Sequence, residues 1–178
     1  MGDEKSVSDA LLVGPMLVDT VEKKKTQLKG ESQELIAALA AKNLMVHYVE
    51  GQYCDSLYSS VAFAISQFPP PFNVSYPVQV LRHKTSQYIL ANPGKFIKNL
   101  GTVEMLRKYC DCVATTMNGT SETEALALAY ALQIKIQVHH RLRLSVDGFI
   151  IEEHGDSYCD IIKLAYLPLS KEFVPLMW

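Results

Sequence analysis

Apolar positions recur at helical spacing through most of the chain and alternate with polar ones only near its end. After residue 56, Leu57, Val61, Ala64 and Ile65 fall on one face of a helix that the run Pro69–Pro71 must end. Five other segments also have helical composition or spacing. They are 32–42, 77–90, 93–98, 103–117 and 122–132.

Strand patterns dominate the last quarter of the chain. A short extended segment, 45–49, precedes the first loop, and 134–138 alternates as a half-buried strand. Asp147-Gly148 predicts a hairpin turn between strands 142–146 and 149–152. Two apolar strands, 161–167 and 173–177, follow. Helices first and a meander of strands afterwards predict an α+β fold.

Two helix beginnings carry polar residues typical of caps. Ser56 is suited to accept from the free N–H groups at the start of its helix. Ser121 is followed three residues later by Glu124, which is the spacing of a capping box. In this interpretation, Ser56 has a purely structural role.

Composition restricts the classes of function. The 178 residues are 48% apolar and 20% charged, which predicts one globular domain with a substantial core. The net charge of −2 gives no overall field that would attract nucleic acid or a membrane. No apolar run of about 20 residues and no signal peptide is visible, so we expect a cytoplasmic or nuclear protein.

The sequence does not indicate a metal or cofactor site. Four cysteines do not make a disulfide framework, and Cys110 and Cys112 have no second ligand pair at zinc-finger spacing. His139 and His140 are neighbours on a strand, so their side chains point to opposite faces and cannot hold one ion together. We therefore expect no metal and no cofactor.

Residues 50–65 resemble the nucleophile segment of the ovarian-tumour (OTU) family of cysteine deubiquitinases. That family has Asp-Gly-x-Cys, an apolar residue, an aromatic residue and then an apolar helix. In this register Leu57 and Tyr58 match the apolar-aromatic pair, and Ser56 takes the position of the nucleophilic cysteine. Tyr53 stands where the aspartate of the motif usually lies.

Further matches follow in the family's order, so the resemblance covers about residues 45–176. They are the helical arm from Leu81-Arg82 to Phe96, the turn and helix around Gly119 and 124–129, and the strand 134–138. The resemblance implies a papain-like OTU fold, with a central, mostly antiparallel sheet flanked by helices. It also divides the chain into an N-terminal extension, 1–30, with a possible helix, and an OTU-like domain, 31–178.

The resemblance also shows which catalytic parts are missing. The family's histidine opens the last strand and precedes an aromatic residue, but here Glu172 precedes Phe173. Val174 cannot replace the polar residue that orients the histidine. The resemblance assigns the nucleophile position to Ser56, the histidine position to Glu172, and the oxyanion region to 53–55, which is Tyr53, Cys54 and Asp55. A serine without an imidazole base is a poor nucleophile, so we expect Ser56 and Glu172 to be inactive.

Two alternatives remain open for the catalytic residues. Cys54 is a thiol two residues upstream, but Asp55 and Ser56 follow it instead of an apolar-aromatic pair. His154 lies in a polar segment before the last two strands, where it is either a solvated loop histidine or a base that swings towards Ser56.

The sequence thus predicts an inactive OTU-like domain that serves as a protein-interaction or structural module. Its expected partner is ubiquitin, a ubiquitin-like protein or a larger protein assembly, with no membrane or nucleic acid. The alternative is an active OTU deubiquitinase, an isopeptide hydrolase, captured as a cysteine-to-serine mutant at Ser56.

Overall fold

The computed structural model describes residues 33–49, 53–115, 121–141, 149–157, 160–168 and 170–178. The segment 1–30 and the turn predicted at Asp147-Gly148 lie outside these ranges, so the proposed extension and the domain boundary remain predictions.

Six helices and five strands make up the described part of the chain. The helices are α1 (Gln33–Ala40), α2 (Ser56–Ser66), α3 (Val78–Ala91), α4 (Pro93–Leu100), α5 (Val103–Thr115) and α6 (Glu122–Leu132). The strands are β1 (Met45–Val46), β2 (Lys135–Arg141), β3 (Phe149–His154), β4 (Ile161–Leu167) and β5 (Glu172–Met177). A single 3-10 turn, Tyr53–Asp55, leads directly into α2.

The strands form one sheet in the order β1-β5-β4-β2-β3. Three of the neighbouring pairs are antiparallel, and β2 and β4 are parallel. The predicted α+β class with a mostly antiparallel sheet is therefore confirmed.

Helices cover both faces of the sheet. On one face α2, α3 and α6 pack on the inner strands, with Leu57, Leu128 and Ile136 fully buried. On the other face the short α1 packs Leu35 and Leu39 against β4 and β5. A third cluster joins α3, α4 and α5 away from the sheet. The N-terminus of α2 consequently lies inside the molecule, beside the sheet.

The predicted hairpin is wrong in its pairing. Phe149–His154 pairs with β2, with Arg141 opposite Phe149 and Ile136 opposite His154. The prediction paired 149–152 with 142–146, five residues further along. A turn dipeptide favours a local hairpin, but the register of β3 is set by its pairing with residues 136–141 of β2, which the local turn signal does not determine.

The capping box is half formed. Ser121 precedes α6 but makes no side-chain capping bond. Its hydroxyl lies 2.9 Å from the Tyr109 hydroxyl, which is a tertiary contact. The backbone of Ser121 still donates to the Glu124 carboxylate and so acts to lower the pKa of Glu124. Tertiary partners therefore replace only the serine half of the motif.

None of the described helices combines the length and apolar character that a membrane span requires.

Candidate functional site

Ser56 is the first residue of α2 and is nearly buried. The helix forms here because the next residues, Leu57, Tyr58 and Val61, are completely buried against the sheet and α6. This burial stabilises the first turn even though Asp55, at the N-cap position, makes no side-chain capping bond. Ser56 therefore lies at the buried beginning of α2.

Two serines of α2 hold the backbone of β5. The backbone N–H of Phe173 donates to Ser56 Oγ at 3.1 Å. Ser60, one turn later, donates through its hydroxyl to the Phe173 carbonyl oxygen at 2.9 Å. The edge strand β1 has only two residues and pairs with β5 only at Leu176 and Met177. The two serines therefore supply hydrogen-bond partners for the backbone of Phe173, which a longer edge strand would otherwise provide.

The Ser56 hydroxyl thus accepts from another element of the fold. The prediction that Ser56 caps its own helix is wrong, because Asp55 occupies the N-cap position and Ser56 is already the first helical residue. The OTU resemblance assigns the nucleophile position to Ser56 and the histidine position to Glu172, and therefore requires Ser56 to lie near the beginning of the last strand. The hydrogen bond between Phe173 and Ser56 meets that requirement. The catalytic assignment of Ser56 stays a prediction.

Glu172 and Val174 lie on either side of Phe173 at the beginning of β5. Glu172 is 94% buried, since its exposed fraction is 6%, and it pairs in register with Leu167 of β4. Val174 is buried among apolar residues against α1, so no polar group is available there to orient a residue at position 172. The assignment of Glu172 to the histidine position also stays a prediction.

Arg82 of α3 anchors the loop that precedes Ser56. Its side chain is fully buried, and its Nε donates to Asp55 Oδ1 at 2.7 Å. The same guanidinium donates to the carbonyl oxygens of Cys54 and, at 2.9 Å, Val113. Its centre lies 4.6 Å from the centroid of the Tyr58 ring, which is cation–π geometry. The predicted oxyanion region is therefore held by a buried cation.

A second polar group, Glu124, lies beneath the same helix. Tyr58 donates to the Glu124 carboxylate at 2.6 Å, and Tyr109 donates to it at 3.2 Å. Burial raises the pKa of Glu124, while the two tyrosines and the Arg82 charge act against that rise. Burial, followed by the Glu124 charge, raises the pKa of Tyr58. These groups form a connected network from Asp55 to Glu124.

The structure contradicts the prediction that His154 is a solvated loop histidine. His154 ends β3 and is 6% exposed. Burial lowers its pKa, although Glu122 and Glu152 act to raise it. β3 lies three strand positions from β5, or roughly 14 Å at about 4.8 Å per strand. This spacing does not favour the alternative that His154 acts as a base for Ser56, which stays a prediction.

Cys54 lies outside α2, and the alternative that it is the nucleophile stays a prediction. It belongs to the 3-10 turn before α2, and its carbonyl oxygen accepts from Arg82. Asp55, between Cys54 and Ser56, is bound to the same guanidinium. A shift of Cys54 to the helix start would break both interactions.

The sequence analysis missed Ser60 and the role of Arg82. The spacing of Ser56 and Ser60, four residues apart on an apolar helix, is a signal that both face one neighbour. Arg82 follows Leu81 on the buried face of α3, where a charged residue must have buried partners. The sequence holds these signals, but it does not identify the partners.

Comparison of the sequence with known proteins finds similarity to a deubiquitinase. No protein-family model matches the chain. Deubiquitinase OTUD6B of Gallus gallus is 29% identical over 138 residues, which are 65% of this chain and 46% of that protein. The aligned part of the chain thus spans a little under half of the length of that relative.

Comparison of the folds gives stronger likenesses. The OTU domain of OTUD1 superposes with a TM-score of 0.67 at 18% identity, covering 86% of this chain and 99% of that domain. An OTU deubiquitinase from Wolbachia pipientis wMel bound to ubiquitin has a TM-score of 0.59 at 13% identity, covering 76% and 96% of the two chains. An OTU domain in complex with ubiquitin has a TM-score of 0.56 at 21% sequence identity, covering 75% of this chain and 69% of that chain. The predicted OTU fold is confirmed.

Proposed function

We propose that this chain, which has the OTU fold and resembles an OTU deubiquitinase in sequence, is a catalytically inactive protein-interaction module that binds ubiquitin or a ubiquitin-like protein. The observation that carries the proposal is the hydrogen bond from the Phe173 N–H to Ser56 Oγ. It gives the hydroxyl at the nucleophile position a structural partner.

Chemistry supports the loss of activity. Isopeptide hydrolysis on this fold needs a thiolate and a base that takes its proton. A serine hydroxyl is far less acidic than a thiol, and Glu172 places a carboxyl group where the family has an imidazole base. Both changes lower the rate, and neither compensates for the other.

The partner is proposed from the structures that share the fold. Two similar OTU structures are described as complexes with ubiquitin. An inactive domain that kept the ubiquitin-binding surface of such domains would bind ubiquitin without cleaving it. The cytoplasmic or nuclear location is part of the same proposal.

Two assays test the proposal on the purified chain. Di-ubiquitin should not be cleaved, and a ubiquitin-based electrophilic probe should not attach at position 56. Isotope-labelled ubiquitin should show chemical-shift changes in its NMR spectrum when the chain is added. Cleavage by the unaltered chain would contradict the loss of activity, while an unchanged ubiquitin spectrum would contradict the partner.

A second candidate function is an active OTU deubiquitinase captured as a cysteine-to-serine mutant. The placement of Ser56 at the N-terminus of a buried helix favours it, because backbone N–H groups there can stabilise an oxyanion. Under this alternative, Ser56→Cys alone would restore robust cleavage of di-ubiquitin.

We expect Ser56→Cys to stay inactive, because the buried Glu172 carboxylate would repel a neighbouring thiolate and raise the cysteine pKa. The double variant Ser56→Cys with Glu172→His should show more activity than the single one. Ser59→Cys, which adds a thiol one turn further along the same helix, is the matched control for probe labelling. Robust turnover by Ser56→Cys alone would establish the second candidate.

A further inference from the structure

Two carboxylates and two imidazoles meet at the junction of α6 with the edge of the sheet. Glu122 is the first residue of α6, and Glu152 and His154 lie on β3. One ligand atom of each lies within 4.8 Å of the other two. On the neighbouring strand β2, His140 Nε2 lies 2.9 Å from Glu152 Oε2. Three elements of the fold therefore bring four potential metal ligands together.

These side chains line a cavity of about 200 Å³. Its other lining residues include Tyr166 and Phe173. Glu122 is exposed and Glu152 is half-buried, so the carboxylates connect the cavity to solvent. The cavity is thus large enough for a hydrated ion and has a polar opening.

His154 provides a second, independent indication of a ligand. Its side chain is 94% buried, and its Nε2 has no hydrogen-bond partner among the residues that the structure describes. A buried polar nitrogen without a partner is costly, because its interaction with water has been lost and not replaced. A ligand in the adjoining cavity would satisfy it.

We infer that Glu122, Glu152 and His154, with His140 as a fourth ligand, form a binding site for a divalent transition metal ion, of which Zn²⁺ fits best. Imidazole nitrogens and carboxylate oxygens bind Zn²⁺ at about 2.0–2.2 Å. In a tetrahedral site such atoms lie about 3.4 Å apart, so the cluster, whose three atoms lie within 4.8 Å of one another, would contract on binding the ion. Mg²⁺ and Ca²⁺ fit less well, since they prefer oxygen ligands throughout.

The ion would join α6 to the β2–β3 edge of the sheet. It would not depend on the inactive state of Ser56, because the ligands come from other elements. Local sequence spacing does not reveal such a site, since Glu152 and His154 have their third partner thirty residues away in the chain. The expectation of no metal centre followed from that spacing.

Titration calorimetry of the full chain with Zn²⁺ alone tests the inference. We expect one ion per chain, and a rise in Tm when Zn²⁺ is added. Glu122→Gln should weaken binding by at least about tenfold, because it replaces a charged ligand with a neutral one. Glu104→Gln is the matched control: it also removes an exposed glutamate from the first turn of a helix, and should leave binding unchanged.

The remaining ligands and the thiols are tested separately. In the NMR spectrum, the imidazole signals of His140 and His154 should change when Zn²⁺ binds. With Co²⁺ as the probe, the optical spectrum should lack the charge-transfer band of thiolate ligands, and Cys112→Ser should bind like the unaltered chain. Absence of stoichiometric binding, equal affinity in Glu122→Gln, or loss of binding in Cys112→Ser would each overturn the inference.

Discussion

Replacing Arg82 with methionine should strongly destabilise the fold. The change removes the guanidinium but keeps an unbranched side chain of similar length. Arg82 donates to one carboxylate and two carbonyl oxygens, those of Asp55, Cys54 and Val113. In the variant these acceptors lose their donor inside a packed core, and water cannot readily replace it.

The expected magnitude follows from the exposure of each partner. Removal of one member of a fully buried ion pair costs about 3–5 kcal/mol. The Asp55 side chain keeps an exposed fraction of 17%, so water recovers part of its loss. The methionine also avoids the cost of burying a charge. We therefore expect the free energy of unfolding to fall by about 3 kcal/mol, towards the lower end of that range.

The assay is urea unfolding followed by far-ultraviolet circular dichroism. Lys108→Met is the matched control, since it removes a cation from the exposed pair with Glu104, which is 2.9 Å long. That pair should contribute less than about 0.5 kcal/mol. Asp55→Asn keeps a hydrogen-bond acceptor without the charge, and should cost less than Arg82→Met. A loss below about 1 kcal/mol in Arg82→Met would refute the reasoning.

Three further predictions concern buried groups. Tyr58→Phe removes the 2.6 Å hydrogen bond to Glu124 and should lower the free energy of unfolding by about 2 kcal/mol at neutral pH. This loss should shrink at low pH, where Glu124 takes up a proton, and a loss that does not depend on pH would contradict the prediction. Burial lowers the pKa of His139 to about 4, so between pH 6.5 and 4 the unfolded chain binds the proton more readily than the folded chain. The free energy of unfolding should therefore fall by up to about 3 kcal/mol as the pH drops through this window. The urea midpoint of His139→Gln should fall less over the same window, and an identical pH profile in the two proteins would contradict the prediction. Gly155 has φ 99°, and a Cβ there would lie 2.2 Å from a backbone carbonyl oxygen. Gly155→Ala should therefore lower the free energy of unfolding by about 2 kcal/mol or more in the same assay. Gly94 has open space around it, so Gly94→Ala is the control and should not lower the free energy of unfolding.

Local sequence determined most of the helices. The bounds of α2 and α6 agree with the sequence prediction within one or two residues, because apolar spacing and proline act over a few neighbours. The strands 161–167 and 173–177 were also correctly placed, with β5 beginning one residue earlier. The order of these elements was enough to predict the α+β class, whereas the resemblance to the OTU family came from the residues of the segment 50–65 and the matches that follow it.

Tertiary structure alone decided how the polar side chains are used. The local sequence predicted that Ser56 caps its helix, but its hydroxyl oxygen accepts from the N–H of Phe173, 117 residues away. His154 lies in a polar segment that predicted a loop, but pairing of β3 with β2 buries its side chain beside Glu122. Local propensities are worth fractions of a kcal/mol per residue, whereas sheet register and core burial contribute several. Contacts between distant segments therefore determine the partner of each polar group, and with it the chemistry that the group can perform.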